Sequence, residues 1–435
     1  MRRHLPPTAR AVARRARTAL RPFVRAARAF RDEPRRADPF ARRRDPSGPE
    51  LVRIAPIVEV GRSGDGRVTL LMPGLEMTRM TGGPNTALNL VARLAEHGVP
   101  LRILAAIRPL DERPELVRDH IEQLVGRSLG PGVVLGALDP EHPLEVAPDD
   151  VFIATSWETA HVANAGLKHT LAPAFIYLIQ DFEAGFFAFS TSHALALATY
   201  RMPVRPVFNE RLLRDHFVAH RVGVVGSDEH LPWTSFEPAV DRTLFQRAAR
   251  ADGLYRFVFY GRPRNERNCF DLGLRAIRIA VERGALDPES WEVVQIGAEV
   301  PELDLGSGRT LRPAPWLDYR SYAAFVSASD VMLALMLSPH TSYPPLEMAA
   351  SGGRVITSVF SAKTAETLRR ISPSLVAVEP DPDAVAEAIV DAVSATERQD
   401  DEASPRLDLP ATWDEAFRET VPWLLSTIAD LRQHS

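Results

Sequence analysis

Cysteine is almost absent from this 435-residue chain: Cys269 stands alone. A single thiol excludes a disulfide scaffold and any zinc site built on cysteines. Lysine is nearly as scarce. Of 52 basic residues only Lys168 and Lys363 are Lys, and fifty are Arg. Such a bias reflects a GC-rich coding sequence, so an arginine here is not by itself a sign of guanidinium chemistry. No apolar run approaches the ~18 residues that a bilayer-spanning helix requires, so an integral membrane protein is not expected. What remains is ordinary for a folded protein, with 45% hydrophobic and 25% charged residues. The length predicts two or three domains.

Charge is unevenly spread. Residues 1–50 hold fifteen Arg against five acidic residues, a local +10, so the rest of the chain carries −14 of a net −4. From Thr8 to Phe30 the apolar positions Val12, Ala16, Leu20, Phe23, Val24, Ala27 and Phe30 recur at three- and four-residue spacing, with arginines between them. The pattern reads as a basic amphipathic helix, interrupted near Pro22, that can lie on an anionic lipid surface through residues 1–45. A solvated extension is the competing reading. Arg2-Arg3 is followed by no apolar stretch of the secretory kind, so export is not expected. The acidic body and the lack of a reader motif argue against nucleic acid as a partner.

Strand and helix patterns begin near Val68 and alternate twice. Val68 to Met72, Leu101 to Ala105, Val133 to Leu135, Val151 to Ala154, Phe175 to Ile179 and Val222 to Val225 predict the strands of a first half. Phe257 to Tyr260, Trp291 to Ile296, Val331 to Leu335 and Arg354 to Thr357 predict those of a second, closed by a helix from Asp383 to Val393. This is the pattern of an α/β protein with two parallel sheets, each covered by helices. The expected division is a basic arm (residues 1–50), a first domain (51–235), a second (236–410) and a carboxyl-terminal helix (411–435) opened by a capping box at Thr412 and Glu415. Ligands of such an architecture bind between the domains, at the carboxyl ends of the strands.

Three loops converge there. Thr81-Gly82-Gly83-Pro84 opens a helix after the first strand, where Gly82 and Gly83 let backbone approach a ligand and expose N–H groups to an anion. Gly261, Arg262 and Arg267 follow the first strand of the second half, where the arginines can clamp a diphosphate. The third loop, Ser338-Pro339-His340-Thr341-Ser342-Tyr343-Pro344-Pro345-Leu346-Glu347-Met348-Ala349, opens a further helix, and Glu347 can accept both hydroxyls of a ribose. Each feature alone has a plainer reading as a turn, a solvated arginine or a helix dipole partner.

Together these segments resemble the nucleotide-sugar glycosyltransferases of the two-Rossmann (GT-B) fold, in particular the retaining enzymes of family 4. With Tyr177-Leu178-Ile179-Gln180-Asp181-Phe182-Glu183, the third loop looks like the branch of rhamnosyltransferases that assemble rhamnan and S-layer glycans on bacterial surfaces. The resemblance implies a cytoplasmic, metal-independent transferase, peripheral to the inner face of the plasma membrane. Its donor would be a nucleotide sugar, most readily dTDP-rhamnose, its acceptor a glycan or lipid-linked saccharide, and it would need no cofactor. Arg262 matches the family's diphosphate arginine, Arg267 occupies the usual lysine position, and Glu347 matches the ribose-binding Glu that ends the Glu-x7-Glu motif. Donor contacts are further expected from Trp316 near the base, Ser342, Tyr343, Pro345 and Leu346. The first Glu of the motif falls at Pro339, which has no carboxylate, so His340 or Ser342 is left to face the sugar. Asp181 and Glu183 are candidates for taking the acceptor proton, and Trp157, Glu158 and Gln180 for binding the acceptor. Asp381-Pro382-Asp383 reads as a helix cap and not as a metal pair. The rival readings are a degenerate two-Rossmann protein that binds without transfer, or a transferase using a GDP- or UDP-sugar.

Overall fold

The computed structural model describes residues 54–433 except 63, 81, 140, 250–252, 316 and 399–405. The expectations for the basic arm and for Trp316 therefore lie outside the described residues.

Sixteen strands form among the described residues: β1 Ile57–Glu59, β2 Val68–Met72, β3 Leu101–Ala105, β4 Val133–Ala137, β5 Leu144–Val146, β6 Val151–Ala154, β7 Phe175–Ile179, β8 Val204–Asn209, β9 Thr234–Phe236, β10 Tyr255–Tyr260, β11 Trp291–Ile296, β12 Leu303–Gly306, β13 Arg309–Pro313, β14 Val331–Leu333, β15 Arg354–Ser358 and β16 Leu375–Val378. The central strands β2, β3, β6 and β7 are buried along their whole length. That is why they appear in the sequence as continuous apolar runs and not as alternation: a parallel sheet is covered on both faces.

Two seven-stranded sheets result, ordered β4-β3-β2-β6-β7-β8-β9 and β12-β13-β11-β10-β14-β15-β16. The first is parallel throughout, and the second is parallel except for the edge hairpin β12–β13. In each sheet the strand order reverses next to the first strand laid down, between β2 and β6 and between β10 and β14. These are topological switch points, where loops part and leave a crevice beyond the strand ends.

Helices fill the crossovers, and their starts are set by side chains. Ser156 and Thr159 form a reciprocal capping box at the helix Trp157–Gly166. Asp381 accepts from the amides of Asp383 (3.0 Å) and Ala384 (3.1 Å) at the start of Pro382–Glu397, so the Asp-x-Asp sequence is a cap. The expected carboxyl-terminal box is half formed. Thr412 accepts from Glu415 N, but Glu415 returns its bond to Ala411 N, and a short helix Trp413–Ala416 precedes the last one, Thr420–Gln433.

That last segment crosses back to the first sheet. Phe417, Val421, Leu424, Ile428 and Leu431 join the same core as Val68, Leu70 and Leu94. Arg93 pairs with Asp414 at 2.8 Å, and Arg432 donates to the carbonyls of Gly66 and Asp149. The chain thus passes between the two sheets twice.

One expected strand is not formed. Val222 to Val225 is not the last strand but part of a helical turn, Gly223–Ser227. A Cβ on Gly223 would sit 2.1 Å from Tyr200 O, and one on Gly226 would sit 2.0 Å from Phe217 O. The glycines press the segment against backbone, where an extended strand has no room. The strands in that part of the sheet are β8 and β9. Pro203 and Pro206 disguised β8, since proline within a run argues against a strand, yet Pro206 pairs with Tyr177.

Candidate functional site

The loops beyond β2, β7 and β8 meet those beyond β10, β14 and β15. Thr86, in the first turns of the helix Gly82–Glu96, shares a 2.7 Å hydrogen bond with Tyr343 OH on the helix Tyr343–Ala350 of the second domain. Gly83 packs against Gln180, whose Oε1 would lie 3.2 Å from a Cβ there, and Gly82 has φ +38°. A side chain at position 83 would displace Gln180, so the glycine has a packing reason independent of any ligand. Burial pushes the Tyr343 hydroxyl up to about 12 while its bonds to Thr86 and Asn209 oppose the shift.

Asp181 follows β7 and is the centre of a cross-domain set. It accepts from Phe182 N at 2.8 Å and from Ser338 Oγ, and its other oxygen lies 3.4 Å from Arg267 Nη2. The Arg267 guanidinium also stacks over Phe186, 4.0 Å from the ring centre. One loop from each domain is therefore held by charge and by an aromatic face. Arg262 is exposed and passes beside Gly297, whose φ of +97° and close neighbours leave no room for a side chain. Gly261 is required by packing: a Cβ would meet Phe270 at 2.8 Å and Phe259 at 2.9 Å.

Glu183 occupies a different position from the one its sequence neighbours suggest. Its Oε2 accepts from Trp157 N at a helix start, and Tyr200 OH accepts from its own amide. Burial, then the neighbouring Glu158, pushes its carboxyl well above the ordinary range. This is an anchoring carboxyl behind the helix, a poor arrangement for receiving an acceptor proton. Trp157 is 5% exposed and packs edge-on against His161 and Phe187, so its ring belongs to the interior. Glu158 is half-buried in the first turn of that helix.

On the opposite side, Glu347 is buried and accepts from Tyr322 OH at 2.7 Å. Burial raises its carboxyl to about 7, with the tyrosine bond partly offsetting the shift. Leu346 is fully buried in the core with Val258, Met332 and Val355 and presents nothing to a ligand, and Pro345 is buried beside it. The leucine is in the motif because the helix must pack. Ser342 has φ +70° and donates its amide to His340 Nδ1 at 2.9 Å. His340 is thus held as the tautomer with its proton on Nε2, and burial lowers its pKa to about 4. A neutral imidazole donates one hydrogen bond at that nitrogen and cannot act there as a base.

Two buried ionisable residues complete the site, Glu210 and Lys363, and burial pushes the Glu210 carboxyl up to about 8. Glu210, at the end of β8, accepts from Thr341 N (2.8 Å) and Thr341 Oγ1 (2.7 Å), and its Oε1 lies 3.1 Å from His340 Nε2. Lys363, beyond β15, is fully buried and donates to Met336 O at 2.8 Å. Its loop is clasped by the first domain, because Ser361 Oγ lies 2.9 Å from His216 Nδ1 and 3.0 Å from His220 Nε2. One signal could have found Lys363: a chain that writes Arg at fifty of 52 basic positions keeps Lys here.

Several buried polar atoms in this seam lack a hydrogen-bond partner within the protein, namely Gln180 Oε1, Asn209 Oδ1, Glu210 Oε2 and Arg267 Nε. Buried polar groups are seldom left unpaired, and a set of them where the strand ends of the two sheets meet marks a place for a polar ligand.

Two sheets facing one another across such a seam, joined by a returning carboxyl-terminal helix, make the two-Rossmann (GT-B) fold. The chain belongs to the WsaF family: residues 67–211 match the family's amino-terminal domain and residues 255–390 its carboxyl-terminal domain. It is 35% identical over 291 residues to the O-antigen biosynthesis protein RfbC of Myxococcus xanthus, an alignment covering 65% of this chain and 21% of that protein. Among solved structures it is similar to Anabaena HepE, determined with UDP and glucose (TM-score 0.57, 10% identity, 84% of this chain and 99% of that one). It is also similar to WaaG, a glycosyltransferase of lipopolysaccharide biosynthesis (TM-score 0.53, 12% identity, 85% and 100%). At these identities the structures speak for the fold.

Proposed function

We propose that this protein transfers a hexose or deoxyhexose from a nucleotide sugar, L-rhamnose from dTDP-rhamnose being the first choice, to a bacterial surface glycan or lipid-linked acceptor. The observation that carries the reading is the set of unpaired buried polar atoms where the strand ends of the two sheets meet. A nucleotide sugar has the hydroxyl, diphosphate and base groups to satisfy such a set. In this reading Glu347 receives the ribose hydroxyls, Arg262 and Arg267 the diphosphate, and the first-turn amides of Gly82–Glu96 and Tyr343–Ala350 face developing negative charge. Asp181, bridged to Arg267 and Ser338, sits where the acceptor hydroxyl would approach, and Gln180 lies beside it. Leaving-group charge is then neutralised by guanidinium and backbone groups, and the transfer is retaining and needs no metal.

A panel of dTDP-, UDP- and GDP-sugars tests the donor. Nucleoside diphosphate release is expected with one nucleotide far above the others and unchanged by EDTA. A strict need for divalent metal would remove the metal-independent mechanism. Pro339 favours one other reading, a binder that has lost transfer. Tight donor binding with no product release, even with acceptor present, would establish it.

Residues 1–45 are proposed to bring the enzyme to an anionic membrane surface from the cytoplasmic side. Vesicle binding by the full chain is expected to fall with salt, each arginine near the surface contributing about 1 kcal/mol. Phe23→Asp with Phe30→Asp should weaken it further. Binding indifferent to both phenylalanines at low salt would argue for a solvated extension.

A further inference from the structure

The resemblance to family 4 places a carboxylate at position 339, and the sequence has proline there. The structure brings a different carboxylate to that loop. Glu210 comes from the first domain, at the end of β8, yet its Oε1 is held by the amide and hydroxyl of Thr341, two residues beyond Pro339. It is 1% exposed, and its backbone has φ +86°, ψ 141°, a conformation that side-chain-bearing residues seldom adopt. Its second oxygen, Oε2, is buried with no partner, while His340 Nε2 lies 3.1 Å from Oε1. A carboxyl oxygen in that state accepts readily from a hydroxyl.

Lys363 gives the same region its buried cation. Burial lowers its pKa to about 8, with Glu210 and Asp181 opposing the shift. A compact ammonium on a thin stem can be enclosed completely, where the planar guanidinium fork needs more partners. That difference explains a lysine at this position in a chain otherwise written in arginine.

We infer that Glu210 supplies, across the domain seam, the sugar-facing carboxyl group that position 339 lacks, binding a hydroxyl of the donor pyranose through Oε2. This rests on the transferase reading. It predicts that donor-sugar recognition depends on the two domains being together, because the acceptor oxygen and the loop it completes belong to different sheets. Sugar-dependent affinity is then lost by changes in the first domain that leave the nucleotide subsite intact.

The test uses the full chain and calorimetry with matched pairs: dTDP and dTDP-rhamnose, UDP and UDP-glucose, GDP and GDP-mannose. For the pair that wild type binds, Glu210→Gln is expected to leave the nucleoside diphosphate Kd within about twofold and to weaken the nucleotide sugar tenfold or more. Tm should be unchanged, since Gln Oε1 still accepts from Thr341. Glu210→Asp withdraws Oε2 by one methylene while keeping the charge, and should show the same selective loss should the amide variant fold poorly. Equal losses for both ligands, or none for the sugar nucleotide, would overturn the inference and leave the transferase reading standing. A wild-type chain that binds neither member of any pair would overturn both.

Discussion

Replacing Arg262 and Arg267 together by alanine is expected to weaken nucleoside diphosphate binding by two to four orders of magnitude, about 3–5 kcal/mol for two charge-assisted contacts. The loss should not be shared equally. Arg262 is exposed, so solvent screens its contribution. Arg267 is enclosed between Phe186 and Asp181 and has an Nε with no partner in the protein. Arg267→Ala should therefore account for most of the effect, and Arg267→Lys should recover only part of it, because an ammonium keeps the charge but loses the planar stack on Phe186. The parent nucleoside, which carries no phosphate, should bind the double variant as it binds wild type. Titration of both ligands checks this, and equal losses would move the diphosphate site elsewhere.

Glu347→Ala is expected to cost about 1.5–3 kcal/mol of donor affinity, roughly ten- to a hundred-and-fifty-fold, by removing a buried charged acceptor. The same residue predicts a pH dependence whose sign follows from its environment. Burial raises its carboxyl from the usual 4.5 to about 7 in the folded chain. The fold therefore favours the protonated form. That contribution to stability is fully present below about 4.5 and is lost as pH rises through about 7. Donor binding should run the opposite way, strengthening between about pH 6 and 8 as the carboxyl ionises and becomes the better acceptor for ribose hydroxyls. Glu347→Gln should flatten both profiles. A donor affinity that stays constant over this range in wild type would place the ribose on another group.

The site motifs differ in how well they could be read in advance. Glu347 and Arg267 stand out in the sequence because each lies in a short run of residues that also has to make a helix start or a strand end. Leu346 shares the motif for the opposite reason, filling the core while its neighbour faces the seam. Glu183 lies only two residues from Asp181, yet the two side chains part. On the 3-10 turn Glu183–Phe186 that follows, the Glu183 side chain goes back to Trp157 N while Asp181 goes forward to Ser338. Sequence proximity carried no information about that parting.

The sequence alone determined the α/β class, most of the strands and the two-sheet plan, because a strand buried on both faces must be a continuous apolar run and its crossover helix must be amphipathic. It also determined that the loops after the first strand of each half carry the glycines and arginines. Only the tertiary structure decided which strand-end residues from different halves share one site. Glu210 and Thr341 lie 131 positions apart, and Thr86 and Tyr343 lie 257 apart. No local pattern encodes such a pairing. It arises when two sheets settle against one another and each buried charge must find a partner or a ligand, since leaving it alone in a medium of low polarity costs more than the fold can absorb.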